Sequence, residues 1–342
     1  MIKQVIMILS CFVGVMLSHA ASGEYLKPLA TVKMLGSIKA PEDVSAIAKV
    51  GSFLVIGADE GVGKDENENF IQVLKKFGNN YKVDRNILLF KGNKTDGREM
   101  DIEGIAVEGD TVFVVGSHSS KRQRIKSNKK YKKNRKNFRE DKIEDEKNRD
   151  WLYRLTLNSQ GIDSDKQKIS LRKILKKDKV LKIFSQIPSK ENGVDIEGIA
   201  VKEGWLYLGF RGPVFRGNYV PVMKLKFEAP KKYKLLYVNL GGRGIRDMTH
   251  VSNGFIIVAG PVGDGPASYQ LYHWDGKDVI EGKNRTPKDI GKVKLLGEIL
   301  PPKNGKAEGI VVLEENDASY EIIIVYDGIK NGGAQRFSVA KQ

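Results

Sequence analysis

"MDIEGIAVEGDTVFVVG", residues 100–116, returns 94 residues later as "VDIEGIAVKEGWLYLGF", residues 194–210. Each copy sets an acidic pair ahead of a short apolar run, then a polar turn, then a second apolar run that closes near glycine. Three looser copies follow the same plan: "EDVSAIAKVGSFLVIG" (42–57), "RDMTHVSNGFIIVAG" (246–260) and "KAEGIVVLEENDASYEIIIVYDG" (306–328). With Asp43, Asp101, Asp195, Arg246 and Lys306 as markers, the steps are 58, 94, 51 and 60 residues. Without a charged segment of roughly 30 residues, the long step shrinks to about 64, so the period is uniform.

Each unit continues with two more strand-like runs. After the third motif these are "VPVMKLKF" and "KYKLLYVNL", rich in branched and aromatic residues and bounded by turn formers. Four strands per unit, repeated radially, make a propeller blade. The expectation is an all-β fold, a five-bladed β-propeller; a β-sandwich or an irregular solenoid of the same strands is the competing architecture. The last unit ends after "QRFSVAK", one strand short. "TVKMLGSI" (31–38) precedes the first motif as "KVKLLGEI" (292–299) precedes the fifth. An N-terminal strand is therefore expected to complete the last blade and remove the open edges.

The chain begins "MIKQVIMILSCFVGVMLSHAASGEY". One lysine, an apolar run and a small-residue site at Ser18-His19-Ala20 read as a signal peptide over residues 1–21, followed by a single domain over 22–342. No later stretch has the roughly 18–20 apolar residues of a membrane span. Export to the periplasm or the extracellular space is the expectation. The only cysteine, Cys11, lies in the apolar run, which leaves 22–342 without a disulfide, a thiol nucleophile or a cysteine-ligated metal.

The formal charge of +16 is concentrated. Residues 121–150 hold 14 Lys/Arg against 6 Asp/Glu, and 121–139 hold eleven basic residues and no acidic one. Between two strands of one blade, such a block is a protruding loop or short helix, read either as a solvated insertion or as a polyanion contact. An exported protein meets envelope polyanions (lipopolysaccharide, acidic polysaccharide, anionic lipid), so nucleic acid is not the expected partner.

In a propeller the first strand of each blade lines the channel. Residues alternate sides along it, which puts Asp101 with Glu103 and Asp195 with Glu197; Asp43, Asp247 and Glu308 take the matching places elsewhere. Such crowding raises carboxylate pKa values unless cations intervene. Arg211 in "GFRGP" and Arg243 and Arg246 in "GGRGIRDM" are one remedy. Calcium or magnesium on Asp101, Glu103, Asp195, Glu197 and Glu308 is the other, since these are hard oxygen ligands. A blander role stands beside it: Glu103, Glu197 and Glu308 repeat faithfully, as residues that fasten blade to blade would. The residues that break the repeat are better candidates for chemistry: His118, Asp247 and Arg211 as catalytic, Arg243, Arg246 and Asp43 as ligand-binding. His118 in "GSHSS" and His250 in "DMTHV" are the histidines for proton transfer. The familiar nucleotide, zinc-hydrolase and nucleophile-elbow signatures are missing, and neither a nucleotide nor a haem is expected.

Taken in order, "DIEGIA", "GSHS" with a basic stretch, "DIEGIA" leading to "GFRGP", "GGRGIRDM" with "VAGP", and "KAEGI" resemble the domain of unknown function 3616 family, from about residue 30 to 340. The resemblance implies a propeller-like fold and marks residues without naming a reaction. Acid-rich phytase-like and esterase-like propellers are similar in layout, but their calcium-site motifs have no clear match. The expected function is binding, with hydrolysis as an extension, of a small polar or anionic ligand at the channel mouth. The alternative is a non-enzymatic interaction propeller that contacts envelope polyanions through the basic loop.

Overall fold

The computed structural model describes residues 24–157, 163–265 and 268–341; the segment read as a signal peptide lies outside them. Each repeat forms an antiparallel sheet, of four strands in the first four repeats and three in the last. Blade 1 is Val44–Val50, Phe53–Ala58, Glu68–Phe77 and Asn80–Lys91; blade 2 is Ile102–Glu108, Thr111–Gly116, Trp151–Leu157 and Asp163–Ser170. Blade 3 is Asp195–Lys202, Trp205–Gly212, Tyr219–Leu225 and Lys234–Asn239; blade 4 is Gly244–Val251, Gly254–Gly260, Tyr269–Trp274 and Val293–Ile299. Blade 5 is Lys306–Glu315, Ser319–Asp327 and Gln335–Ala340, with Ala30–Thr31 at its outer edge. The first strand of every blade packs against the first strands of both neighbours, and Lys306–Glu315 packs back on Val44–Val50. The ring is a five-bladed β-propeller.

Apolar clusters fill the seams between blades. Ala106, Phe113 and Leu152 of blade 2 meet Ile199, Leu206 and Leu208 of blade 3, and Tyr207 and Val222 of blade 3 meet Ile245, Phe255 and Trp274 of blade 4. Each large side chain buried there contributes about 1.5–3 kcal/mol. The seams also explain the glycine of the Glu-Gly repeat. A Cβ at Gly104 would stand 2.8 Å from Ile199 Cγ2, and one at Gly198 would stand 2.9 Å from Ile245 Cγ2.

All five inner strands carry a β-bulge at the same place. Register slips between Val44 and Ala46, Ile102 and Gly104, Ile196 and Gly198, Ile245 and Asp247, and Ala307 and Gly309. The extra residue, which a bulge leaves outside the ladder, is Ser45, Glu103, Glu197, Arg246 or Glu308. This corrects one expectation: Arg246, not Asp247, matches the repeated glutamates, and Asp247 stands where the other blades have glycine or alanine.

The N-terminal segment behaves differently from a full fourth strand. Only Ala30 and Thr31 pair with the last blade, opposite Arg336 and Gln335, while Met34 and Leu35 run parallel to Tyr81 and Lys82 of blade 1. Upstream, Tyr25 bridges to Glu298 of blade 4. Residues 25–35 are thus a strap over the outer edges of blades 4, 5 and 1, anchored by buried Val32 and Met34. The basic insertion joins the second and third strands of blade 2. It contains a two-stranded hairpin, Ser120–Arg122 with Ile143–Asp145, and the helix Tyr131–Lys136.

Met34 is 2% exposed and Leu29 61%. Met34→Ala is expected to cost about 2–5 kcal/mol in denaturant unfolding, and Leu29→Ala close to nothing. Equal midpoints for both variants would contradict the strap.

Candidate functional site

The bulged residues and the ends of the second strands meet at one mouth of the channel, and their charges divide it into three networks. In the first, Arg211 pairs with Asp195 and, at 2.7 Å, with Glu197; Arg246 pairs with Glu197 at 2.9 Å and with Glu308. Asp195 and Glu197 are each 1% exposed, and none of their four carboxylate oxygens has a partner in hydrogen-bonding geometry. Glu103 adds a third buried carboxylate, with one oxygen of each of Glu103, Asp195 and Glu197 within 4.8 Å of the others. Burial and the neighbouring Glu197, Asp101 and Asp195 drive Glu103 well above the carboxylate range. Burial also raises Asp195 to about 7, against the opposing pull of Arg211.

A second network lies on blade 2. Arg149 donates to Asp101 at 2.7 Å and to Glu146 at 3.0 Å and also pairs with Glu99, while Lys121 pairs with Glu146 at 2.7 Å. Asp101 is thereby joined to a guanidinium that sequence reasoning had counted only as one more charge of the insertion.

The third network, on blades 1 and 5, is short of cations. Asp43, Asp59 and Asp327 bring one oxygen each within 4.8 Å of the others, and Lys306 pairs with Asp327. Asp59 Oδ1 is buried with no hydrogen-bond partner. Desolvation, then Asp327, Asp101 and Asp43, push Asp59 well above its ordinary value. Partial desolvation and adjacent Glu99 raise Glu60 to about 7. Asp59, Glu60 and Asp327 were not singled out in the sequence. Their signal was the end of each second strand, where "GADE" and "VYDG" stand in the place of "GFRG".

Asp247 and His118 are used otherwise. Asp247, 1% exposed, accepts the backbone N–H of Met248 at 2.7 Å and of Ile310 at 2.8 Å, and so ties blade 4 to blade 5. His118, also 1% exposed, has Nδ1 2.7 Å from the Gly116 carbonyl, while Nε2 accepts from Leu171 N–H at 3.4 Å. Burial lowers it to about 4, so the imidazole is neutral at pH 7. Arg243 donates to the Ser268 carbonyl at 2.8 Å and to its hydroxyl at 2.7 Å. His250 lines the channel beyond the bulges with Ile47, Ala106 and Val201. The structure therefore gathers Asp43, Asp101, Glu103, Asp195, Glu197, Arg211, Arg246 and Glu308 about the mouth, and commits Asp247, His118 and Arg243 to the scaffold around it.

Asp247→Ala strands two buried N–H groups, each of which costs on the order of 1–3 kcal/mol when unpaired. Its unfolding midpoint should fall accordingly, and a neutral effect would remove the fastening role.

No curated protein matches the sequence. Solved structures similar to the chain include an exo-β-1,3-galactanase from Phanerochaete chrysosporium, at 8% identity and TM-score 0.45, over 94% of this chain and 65% of that one. A Trypanosoma rangeli sialidase aligns at 12% identity and TM-score 0.38, over 92% and 59%. The WD40 β-propeller domain of Doa1 aligns at 9% and 0.33, over 89% and 70%. At these distances none bears on activity. The profile of a protein family of unknown function, DUF3616, matches residues 43–167 and 156–338, and the chain belongs to that family.

Proposed function

We propose that the propeller binds a divalent cation, calcium or magnesium, at the channel mouth and through it a small polar or anionic ligand. The observation that carries this reading is the asymmetry of the mouth. Arg211 and Arg246 stand among the carboxylates of blades 3 and 5, whereas Asp43, Asp59 and Asp327 face one another with Lys306 as the cation at hand. Three carboxylates and one ammonium leave a formal charge of −2, which a divalent ion cancels. The donors are all hard oxygens, as these ions require. Asp43 and Asp59 are partly exposed, so an ion seated there keeps a side toward solvent for an oxygen-bearing ligand. Glu103, Asp195 and Glu197 are a second oxygen cluster; with Glu308, Arg211 and Arg246 it also sums to −2, but two guanidiniums already pair with its oxygens.

The proposal stops at binding. His118, the histidine expected to move protons, is held between backbone groups in the core. Glu60 and Asp195, both raised to about 7, are the groups at the mouth whose protons exchange near neutrality.

Calcium or magnesium in excess should raise the melting temperature by mass action, about 2.7 kcal/mol at a concentration of 100 times Kd. Asp59→Asn and Asp327→Asn should abolish the gain. Glu197→Gln should lower stability yet keep it. No gain in the wild type, or an undiminished gain in Asp59→Asn, would overturn the seat.

The sign of the pH dependence follows from the raised groups. Asp195 and Glu60 bind protons more tightly in the folded state than in the unfolded one, so their contribution is complete at low pH and is lost as pH climbs from about 4 through about 7. Without divalent cation, stability should fall across that window. The gain from added cation should grow as pH rises, because Asp43 and Asp59, whose carboxyls burial and neighbouring acids also raise, must shed their protons to hold the ion. Thermal scans in chelator and in calcium at both ends of the window check both slopes.

A further inference from the structure

The basic insertion is folded onto the rim of the mouth. Arg122 donates to the carbonyls of Asn137 and Arg139 at 2.8 and 2.9 Å, and Asn134 donates to the Lys126 carbonyl at 2.8 Å. These bonds hold the tip together from within. At its base, Arg122 pairs with Glu191, just ahead of the inner strand of blade 3, and Lys121 pairs with Glu99 and Glu146 at the mouth. Lys176 and Arg172, from the segment that leads into blade 3, pair with Asp145 at 3.2 and 2.6 Å. The insertion and the segment 172–183 therefore form one face above blades 2 and 3.

Two kinds of side chain share that face. One is basic: Lys129, Lys130, Lys132, Lys133, Arg135 and Lys136 in the insertion are all exposed, as are Lys177, Lys179 and Lys182 beside it. The other is apolar and exposed to a degree unusual for such residues: Ile125 50%, Tyr131 74%, Phe138 68% and Ile183 66%. Tyr131 opens the helix, which ends at Lys136, and Phe138 stands in the turn that follows it. Asn134 and Asn137 turn inward to hold the tip, whereas the Tyr131 and Phe138 rings are left to solvent. Charge alone would suit any polyanion. Large apolar side chains set singly among lysines on a protruding tip suit a headgroup layer, into which each ring can sink while the lysine stems lie along the interface.

We propose that this face docks the propeller on an anionic lipid surface, with the channel mouth turned toward the headgroups. Lysines beside a membrane add up in their attraction to anionic lipid, and the attraction fades within a Debye length. Buried rings supply the part that salt does not screen. This inference rests on the insertion alone and stands or falls apart from the cation seat.

The test is cosedimentation with phosphatidylcholine vesicles, with and without roughly a third phosphatidylglycerol, beside retention on heparin. Residues 1–21 are removed from every protein compared, so that their apolar run cannot partition by itself; the described propeller begins after them. Wild type should bind the anionic vesicles and not the neutral ones, and release partly as salt rises. Tyr131→Ser with Phe138→Ser should weaken vesicle binding by about tenfold or more and leave heparin retention and the melting temperature as they were. Replacing Lys129, Lys130, Lys132 and Lys133 by Glu should weaken both vesicle binding and heparin retention. Vesicle binding unchanged by loss of the two rings would reduce the face to a contact for soluble polyanions. Absence of binding to anionic vesicles at low salt would overturn the proposal outright.

Discussion

Carboxylates gathered around the axis of a closed ring must be balanced, and the rest of the structure is arranged around that constraint. The bulge in each inner strand puts Glu103, Glu197, Arg246 and Glu308 at one level, so a guanidinium stands among the acids that the repeat would otherwise multiply. Removing one partner of a buried ion pair is far more damaging than never having the pair. The Asp195–Arg211–Glu197–Arg246–Glu308 chain is therefore both a seam between blades and a fixed pattern of charge. Blade 1 breaks the pattern with Ser45, whose hydroxyl donates to the Ile102 carbonyl. Beside it, Asp43, Asp59 and Asp327 face one another, with Lys306 paired to Asp327 where the other network has guanidiniums.

Scaffold and site are thus made of the same residue types, sorted by their partners. Asp247 is a carboxylate turned toward backbone N–H groups and spent on joining strands. Asp59 is a carboxylate turned toward other carboxylates. Burial raises both well above the carboxylate range, but hydrogen bonds from Ile310 and Met248 pull Asp247 back while neighbouring acids push Asp59 further up.

Much of this was legible in the amino-acid sequence, for definite reasons. A repeat with four apolar runs per period carries its own architecture, so the propeller could be read from "DIEGIA" and its copies. What could not be read was register. A bulge moves one residue out of the ladder, and nothing in "RDMT" beside "IEGI" shows which residue moves; Asp247 was therefore set at the glutamate position when Arg246 occupies it. His118 was not legible either, because the strand ends at Gly116 and the chain turns at His118 (φ 54°), which carries the imidazole into the core, where the Leu171 N–H donates to it. Asp59 and Asp327 stand where blade 3 has Arg211, at the ends of the second strands, but "GADE" and "VYDG" share too little with "GFRG" for the sequence to show the match. Arg149 was hidden among the charges of the insertion, and only its contacts with Asp101, Glu99 and Glu146 separate it from them.

The central claim is that the facing acids of blades 1 and 5, rather than the arginine-held acids of blade 3, seat a cation. Crystals soaked in manganese as a stand-in for the divalent ion, measured for its anomalous scattering, test this most directly. The account predicts an anomalous peak among Asp43, Asp59 and Asp327. A peak among Glu103, Asp195 and Glu197 with the first position empty, or no peak at the mouth at saturating manganese, would contradict it.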